Sequence, residues 1–237
     1  CSPPTKGIYN IAILIEEWRT INGQRFKLGS VLRDMQVTVD DCNNKPPVVE
    51  PLPDTCVKAG SLLSFLVTAS DPDLHSITLS ATGGPFSAVP APQASFPSTF
   101  GPSPISAGFS WQTDCEHVRK QPYLVSFKAA DNGTPNLVDF ETIKITVVAP
   151  GPQNPSAKPS GTSMQISWNQ AECNPSNNQF IGYKVYRKSG ASNWSPGPCE
   201  TGVPAYTGFV KVADLPVSAG FSIADTSIIS ISSGHDE

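Results

Sequence analysis

The opening forty residues of this chain recur, in altered form, near its middle. Gly7-Ile-Tyr-Asn-Ile-Ala-Ile-Leu-Ile-Glu-Glu-Trp18 aligns with Gln121-Pro-Tyr-Leu-Val-Ser-Phe-Lys-Ala-Ala-Asp-Asn132, and Asp34-Met-Gln-Val-Thr-Val39 aligns with Thr142-Ile-Lys-Ile-Thr-Val147. The copies are offset by 114 residues at Tyr9 and Tyr123 and by 108 at Val39 and Val147, so the first hairpin is about six residues longer than the second. A repeat of roughly domain length predicts tandem modules, each with its own small core, and such arrays build reach or binding surface. In 237 residues a spacing near 110 makes room for parts of three modules.

The modules are all-β. Proline, at 24 residues, is about twice its usual share, and 18 glycines accompany it. No stretch repeats apolar residues at helical spacing over three turns, whereas short Val/Ile/Thr/Phe runs bounded by Pro, Gly, Asn and Asp occur throughout. The reading is of tandem antiparallel β-sandwich modules. A net charge of −4 without a Lys/Arg cluster argues against a nucleic-acid partner, and the longest apolar run, Ile11 to Ile15, suits one buried strand and not a membrane span.

Residues 1–43 hold two strands, Tyr9–Trp18 and Lys27–Val39, around Asn22-Gly23, a dipeptide suited to a tight hairpin turn. They read as the C-terminal half of a module, so the chain is expected to open part-way through one. Pro46-Pro47 marks a boundary. Residues 44–149 read as a complete module, with strands at Leu62–Ala69, Ser76–Ala81, Phe109–Trp111, Tyr123–Ala130 and Phe140–Val148, and with a Pro/Ser/Ala-rich excursion from Gly83 to Gly108 expected to carry little core. Residues 150–237 open on Pro150-Gly-Pro152, read as a stiff linker, and continue with strands at Ser163–Trp168, Gly182–Arg187, Phe209–Ala213 and Ser222–Ile231.

Six cysteines fall in pairs along these segments: Cys1 and Cys42, Cys56 and Cys115, Cys173 and Cys199. An even count in a β-rich chain without metal-ligand spacing predicts disulfides within modules and an oxidising compartment. A Cys56–Cys115 bond would staple the ends of the middle module, removing roughly 3–4.7 kcal/mol of denatured-state entropy. Six cysteines admit fifteen pairings, so the connectivity stays open.

The middle module resembles cadherin-like and related immunoglobulin-like repeats. Ala69-Ser-Asp-Pro-Asp73 matches their A-x-D-x-D pattern, Ala130-Asp-Asn-Gly-Thr-Pro135 carries the D-x-G-x-P part of their A-x-D-x-G-x-P-like hairpin, and Asp41-Cys-Asn-Asn-Lys-Pro-Pro47 resembles their calcium linker, except at Asn44 and Lys45. The resemblance implies a structural Ca2+ held by Asp41, Asn43, Asp71 and Asp73, with Asp131 in a second cluster; the alternative is ordinary Asx-turn chemistry. Residues 153–231, with Trp168 in an early strand and Tyr183-Lys-Val-Tyr186 after it, resemble a fibronectin type III domain lacking its last two strands. Gly7 to Arg19 followed by Gly29-Ser-Val-Leu-Arg-Asp-Met-Gln36 resembles repeats of gliding-motility-associated bacterial surface proteins exported by the type IX secretion system. This implies an extracellular, cell-surface location.

Catalytic signals are absent from the sequence. There is no G-x-S-x-G elbow, His75, His117 and His235 have no nucleophile spaced to pair with them, and Glu16 and Glu17 would point to opposite faces of a strand. Trp18 and Trp194 are candidate stacking platforms for carbohydrate, while Trp111 and Trp168 read as core. The function expected is a non-catalytic stalk, adhesion or gliding-associated array, whose partners are neighbouring modules, surface glycans or proteins, or secretion and motility machinery. The alternatives are a carbohydrate-binding accessory region of a secreted polysaccharide-degrading enzyme and a cargo segment held in a secretion or motility complex.

Overall fold

Alternating apolar residues build strands throughout the computed structural model, which describes residues 5–41, 43–87, 91–173, 182–197 and 199–227. The chain divides into two compact units, Cys1–Lys45 and Pro46–Glu237, and the junction expected at Pro150 falls inside the second. Cys1, Cys42 and the end of the strand predicted to reach Ile231 lie outside the described residues.

The first unit is one long antiparallel ribbon, β1 (Gly7–Ile21) and β2 (Gln24–Val39), turned by Asn22 and Gly23. Both turn residues have positive φ, 50° and 80°, as the asparagine-glycine pair favours. Tyr9, Ile11, Ile13 and Ile15 share one face and pair with Val37, Met35, Arg33 and Val31. A bulge at Glu17/Trp18 lets the strands differ by one residue near the tip.

Within the second unit, residues 46–149 form a sandwich of two sheets. One contains β3 (Val48–Val49), β5 (Leu62–Ser70) and β8 (Ile105–Gln112) in the order β3-β5-β8. The other contains β4 (Thr55–Lys58), β6 (Ile77–Gly83), β7 (Thr99–Gly101), β9 (Tyr123–Asp131) and β10 (Val138–Val148) in the order β4-β10-β9-β6-β7. β4 runs parallel to β10, which ties the start of the module to its end. This is a two-sheet β-sandwich around one core.

Alternation places Val67, Ala69, Phe109 and Trp111 of the first sheet against Leu79, Val125, Phe127, Ile143 and Ile145 of the second, all buried. Phe109 is the centre of an aromatic cluster, stacked on Phe65 at 4.8 Å and edge-on to Phe127 at 6.1 Å. The Gly83–Gly108 excursion departs from expectation here. Phe86 meets Phe109 at 5.9 Å, Phe96 meets Phe127 at 5.3 Å, and Ile105 and Ala107 are buried, so the excursion closes one side of the core. Its polar and proline-rich composition concealed two aromatic plugs.

Residues 150–227 fold into a three-stranded sheet, β11 (Gln153–Ser160), β12 (Ser163–Asn169) and β15 (Ser222–Asp225), and a two-stranded one, β13 (Gly182–Arg187) with β14 (Val210–Pro216). β11 lies at a sheet edge, where its Pro155 and Pro159 forfeit no ladder donor. Trp168 and Tyr183 meet between the sheets at 5.3 Å, both buried. Arg187 on β13 donates to Asp225 on β15 at 2.8 Å, a polar strut between the same layers.

Candidate functional site

Two disulfides dominate the chemistry of the second unit: Cys56 is bonded to Cys199, and Cys115 to Cys173. The expected Cys56–Cys115 staple and the pairing of Cys173 with Cys199 are thereby overturned. Each bond instead joins residues 46–149 to residues 150–227. Cys56 sits on β4 at the edge of its sheet, whereas Cys115 opens a helical turn just beyond β8 in the other sheet. Asp114 caps that turn, accepting from the Cys115 backbone N–H, while its own N–H donates to Nδ1 of buried His117 at 2.8 Å. Tyr123 donates its hydroxyl to the His117 carbonyl at 3.0 Å. Burial pushes the Tyr123 phenol above its ordinary pKa, an effect opposed by the Arg119 guanidinium, which lies 3.5 Å from the ring centroid.

The partner cysteine, Cys173, is buried in the core cluster of the 46–149 sandwich even though it follows β12 of the next segment. Proximity in sequence hid this pairing, because the chain after β12 packs back onto the preceding module. A cleft of about 910 Å³ lies along this junction, lined by Lys58, Ser61, Gln153, Glu172, Glu200 and Thr201 among others.

The cadherin-like carboxylates occupy one end of the sandwich. Asp71 follows β5, and its Oδ1 accepts from the backbone N–H of Asp73 at 2.8 Å and of His75 at 3.1 Å. Asp131 ends β9, and its Oδ1 accepts from Gly133 at 3.0 Å and Leu137 at 2.9 Å. Asn132, which sequence reasoning did not single out, links the two loops by accepting from the Ser76 N–H at 3.0 Å. Both carboxylates therefore perform turn chemistry.

The same loops bring Asp71, Asp131 and His75 together, with one potential ligand atom of each within 4.8 Å of the others. Asp71 and Asp131 are buried, and the second oxygen of Asp71, Oδ2, is buried without a hydrogen-bond partner. A buried carboxylate oxygen left in that state favours a cation nearby. The donor set of this unit alone nevertheless fits calcium poorly, since calcium takes six to eight oxygens and here an imidazole nitrogen stands among three ligands. Asp73 is exposed and contributes its backbone N–H; Asp41 and Asn43 lie in the first unit, after β2.

Of the carbohydrate candidates, Trp18 is half-exposed on the ribbon, with its Nε1 donating to Glu16 at 3.2 Å and the Arg25 guanidinium 5.1 Å from its ring centroid. Trp194 is partly buried, edge-on to Phe209 at 5.7 Å. Trp111 and Trp168 are buried, as expected for core. His235 lies outside the described residues. Among the described residues, no helix is long and apolar enough to cross a membrane.

No family model matches the chain, and no curated protein matches it. Among solved structures, it is similar to a nucleoside hydrolase-related hypothetical protein from Saccharophagus degradans associated with carbohydrate metabolism, at 23% identity and TM-score 0.32 over 44% of this chain. The sialic acid binding region of a Streptococcus sanguinis adhesin matches 54% of the chain at 12% identity and TM-score 0.36. The protocadherin GammaB4 extracellular domain matches 88% at 16% identity and TM-score 0.35. The chain spans 26%, 45% and 35% of the lengths of these three structures.

Proposed function

We propose that this chain is a non-catalytic segment of a large exported cell-surface protein, serving as a stalk or adhesion array. The observation that carries the reading is the pair of disulfides across the junction between residues 46–149 and 150–227. Stable disulfides belong to oxidising compartments, and bonds that span two modules remove the bending freedom that a noncovalent junction would retain. The gliding-associated, type IX-exported origin rests on the Gly7–Arg19 and Gly29–Gln36 resemblance. Labelling of intact producing cells with a membrane-impermeant amine reagent tests the location. Modification of the chain's lysines without lysis supports the reading, and modification only after lysis, together with alkylatable thiols, overturns it.

Two specific observations favour additional roles. The half-exposed Trp18 favours glycan contact, as an adhesin or as an accessory region of a polysaccharide-degrading enzyme; a glycan array comparing the protein with Trp18→Ala reports it as a signal that the variant loses. The buried Asp71 Oδ2 beside Asp131 favours a structural cation, and calcium there would need oxygen ligands beyond those of Asp71 and Asp131. A thermal midpoint that rises with added Ca2+, and fails to rise in Asp71→Asn, supports calcium; an unchanged midpoint removes it.

A further inference from the structure

We infer that the Cys56–Cys199 disulfide is the load-bearing connection of the second unit, a covalent bypass that keeps tension out of residues 57–198. The inference rests on the reading of this chain as a segment pulled from its ends, but it follows from connectivity alone. Tension in a crosslinked polypeptide runs along its shortest covalent path. Entering at Pro46, it reaches Cys56, crosses the sulfur–sulfur bond, and leaves through Cys199 toward Ser227. Everything from Val57 to Pro198 hangs beside that path.

The bypassed stretch contains β5 to β13, and with them nearly all of the aromatic core. Its hydrogen bonds and packing are not what resists extension, because a covalent bond stands in parallel with them. The loaded path holds only short elements. On the entry side β3 is stitched by side chains of β10, with the Val49 N–H donating to Asp139 at 2.9 Å and the Leu52 N–H to Glu141 at 3.1 Å. On the exit side lie β14 and β15, each hydrogen-bonded to one neighbouring strand. Those two strands are the part that yields.

The second disulfide is nested inside the first in sequence, since Cys115 and Cys173 both fall between Cys56 and Cys199. It carries no load while the outer bond is intact. When the outer bond is cut, it becomes the path itself and still shields residues 116–172. The sequence separations are 143 and 58 residues, which at 3.3–3.6 Å per extended residue hide about 500 Å and about 200 Å of chain respectively.

Single-molecule pulling of residues 1–237 between marker domains tests this. The oxidised protein is expected to release only the ribbon and the stretches outside Cys56–Cys199. Adding a phosphine reductant should lengthen the release from the second unit by about 500 Å, the contour hidden by 143 residues. The C56S/C199S variant should release about 300 Å more than the parent, the difference between the two loops. The C115S/C173S variant should match the parent. A full-length release from the oxidised protein, a lengthened C115S/C173S, or an unchanged C56S/C199S would each overturn the bypass. If a variant does not fold, the reductant experiment on the parent decides alone. Cell-surface labelling decides the stalk reading separately, so failure of one does not pass for failure of the other.

Discussion

The same hairpin occurs twice in this molecule, once bare and once covered. β1 pairs with β2 in the register Tyr9↔Val37 and Ile11↔Met35, and β9 pairs with β10 in the register Tyr123↔Ile145 and Val125↔Ile143. These are the correspondences that the sequence offsets of 114 and 108 require. Yet Ile13 is 46% exposed where its counterpart Phe127 is 0% exposed. Local sequence is therefore enough to set strand pairing and register, while burial is conferred by other strands, here the β3-β5-β8 layer lying over β9 and β10. An isolated two-stranded ribbon is marginal in water, so the bare copy lacks most of the packing that stabilises the covered one.

Removing the covalent closure should separate the copies most. Converting Cys56 and Cys199 to serine lengthens the denatured-state loops and is expected to lower the stability of the second unit by up to about 5 kcal/mol for a loop of 143 residues, while amide exchange in β1 and β2 stays unchanged. Urea unfolding read together with hydrogen exchange checks both halves. Next in size, Phe127→Ala should cost about 3–5 kcal/mol, whereas Ile13→Ala at the equivalent position should stay within about 0.5 kcal/mol. Equal losses at the two sites would mean that the ribbon is covered after all.

A smaller contrast comes from two glycines beside the hairpins. A Cβ on Gly83 of β6 would sit 2.2 Å from the Leu124 carbonyl oxygen of β9, at a φ of +146°, whereas one on Gly29 of β2 would meet nothing within 4 Å. Gly83→Ala should cost on the order of 1–3 kcal/mol, and Gly29→Ala should be neutral or stabilising by about 0.4–1 kcal/mol. Differential scanning calorimetry of the two variants sharpens the comparison.

The smallest effect lies in residues 150–227, outside both hairpins. The Ser227 hydroxyl bonded to Asp225, with the Ser227 amide and Arg187 adding to it, holds that carboxyl below the ordinary carboxylate range. A depressed folded-state value stabilises the fold above the unfolded pKa near 3.9 and loses that contribution as pH falls through the lower folded value. Asp225→Asn should therefore lower the thermal midpoint at neutral pH and converge with the parent in strong acid. A difference independent of pH would assign the effect to packing.

Much of the fold was legible in the sequence because hydrophobic alternation and turn dipeptides act over a few residues. Tyr123–Ala130, Phe140–Val148 and Gly182–Arg187 read as strands from their short apolar, β-prone runs, and Asn22-Gly23 announced its own turn. β11 has no counterpart among the strands read from the sequence: it contains Pro155 and Pro159, which only an edge position excuses, and edge position is a property of the whole sheet. Phe86 and Phe96 were passed over for the same reason, since only the folded excursion brings them to Phe109 and Phe127. The disulfide connectivity was the least legible of all. Residue spacing reports loop length, but pairing depends on where β4, the turn after β8 and the chain beyond β12 end up in space. Asp71 and Asp131 could be found through a motif, whereas His75 and Asn132 joined them only through loop geometry.

The most direct test of the account is a disulfide map of the oxidised protein by mass spectrometry of a non-reduced digest at acidic pH. The expected result is one linked peptide pair containing Cys56 with Cys199 and another containing Cys115 with Cys173. Linked pairs of Cys56 with Cys115 and of Cys173 with Cys199 would return each bond to its own segment, and with it remove both the covalent junction and the load-bearing bypass.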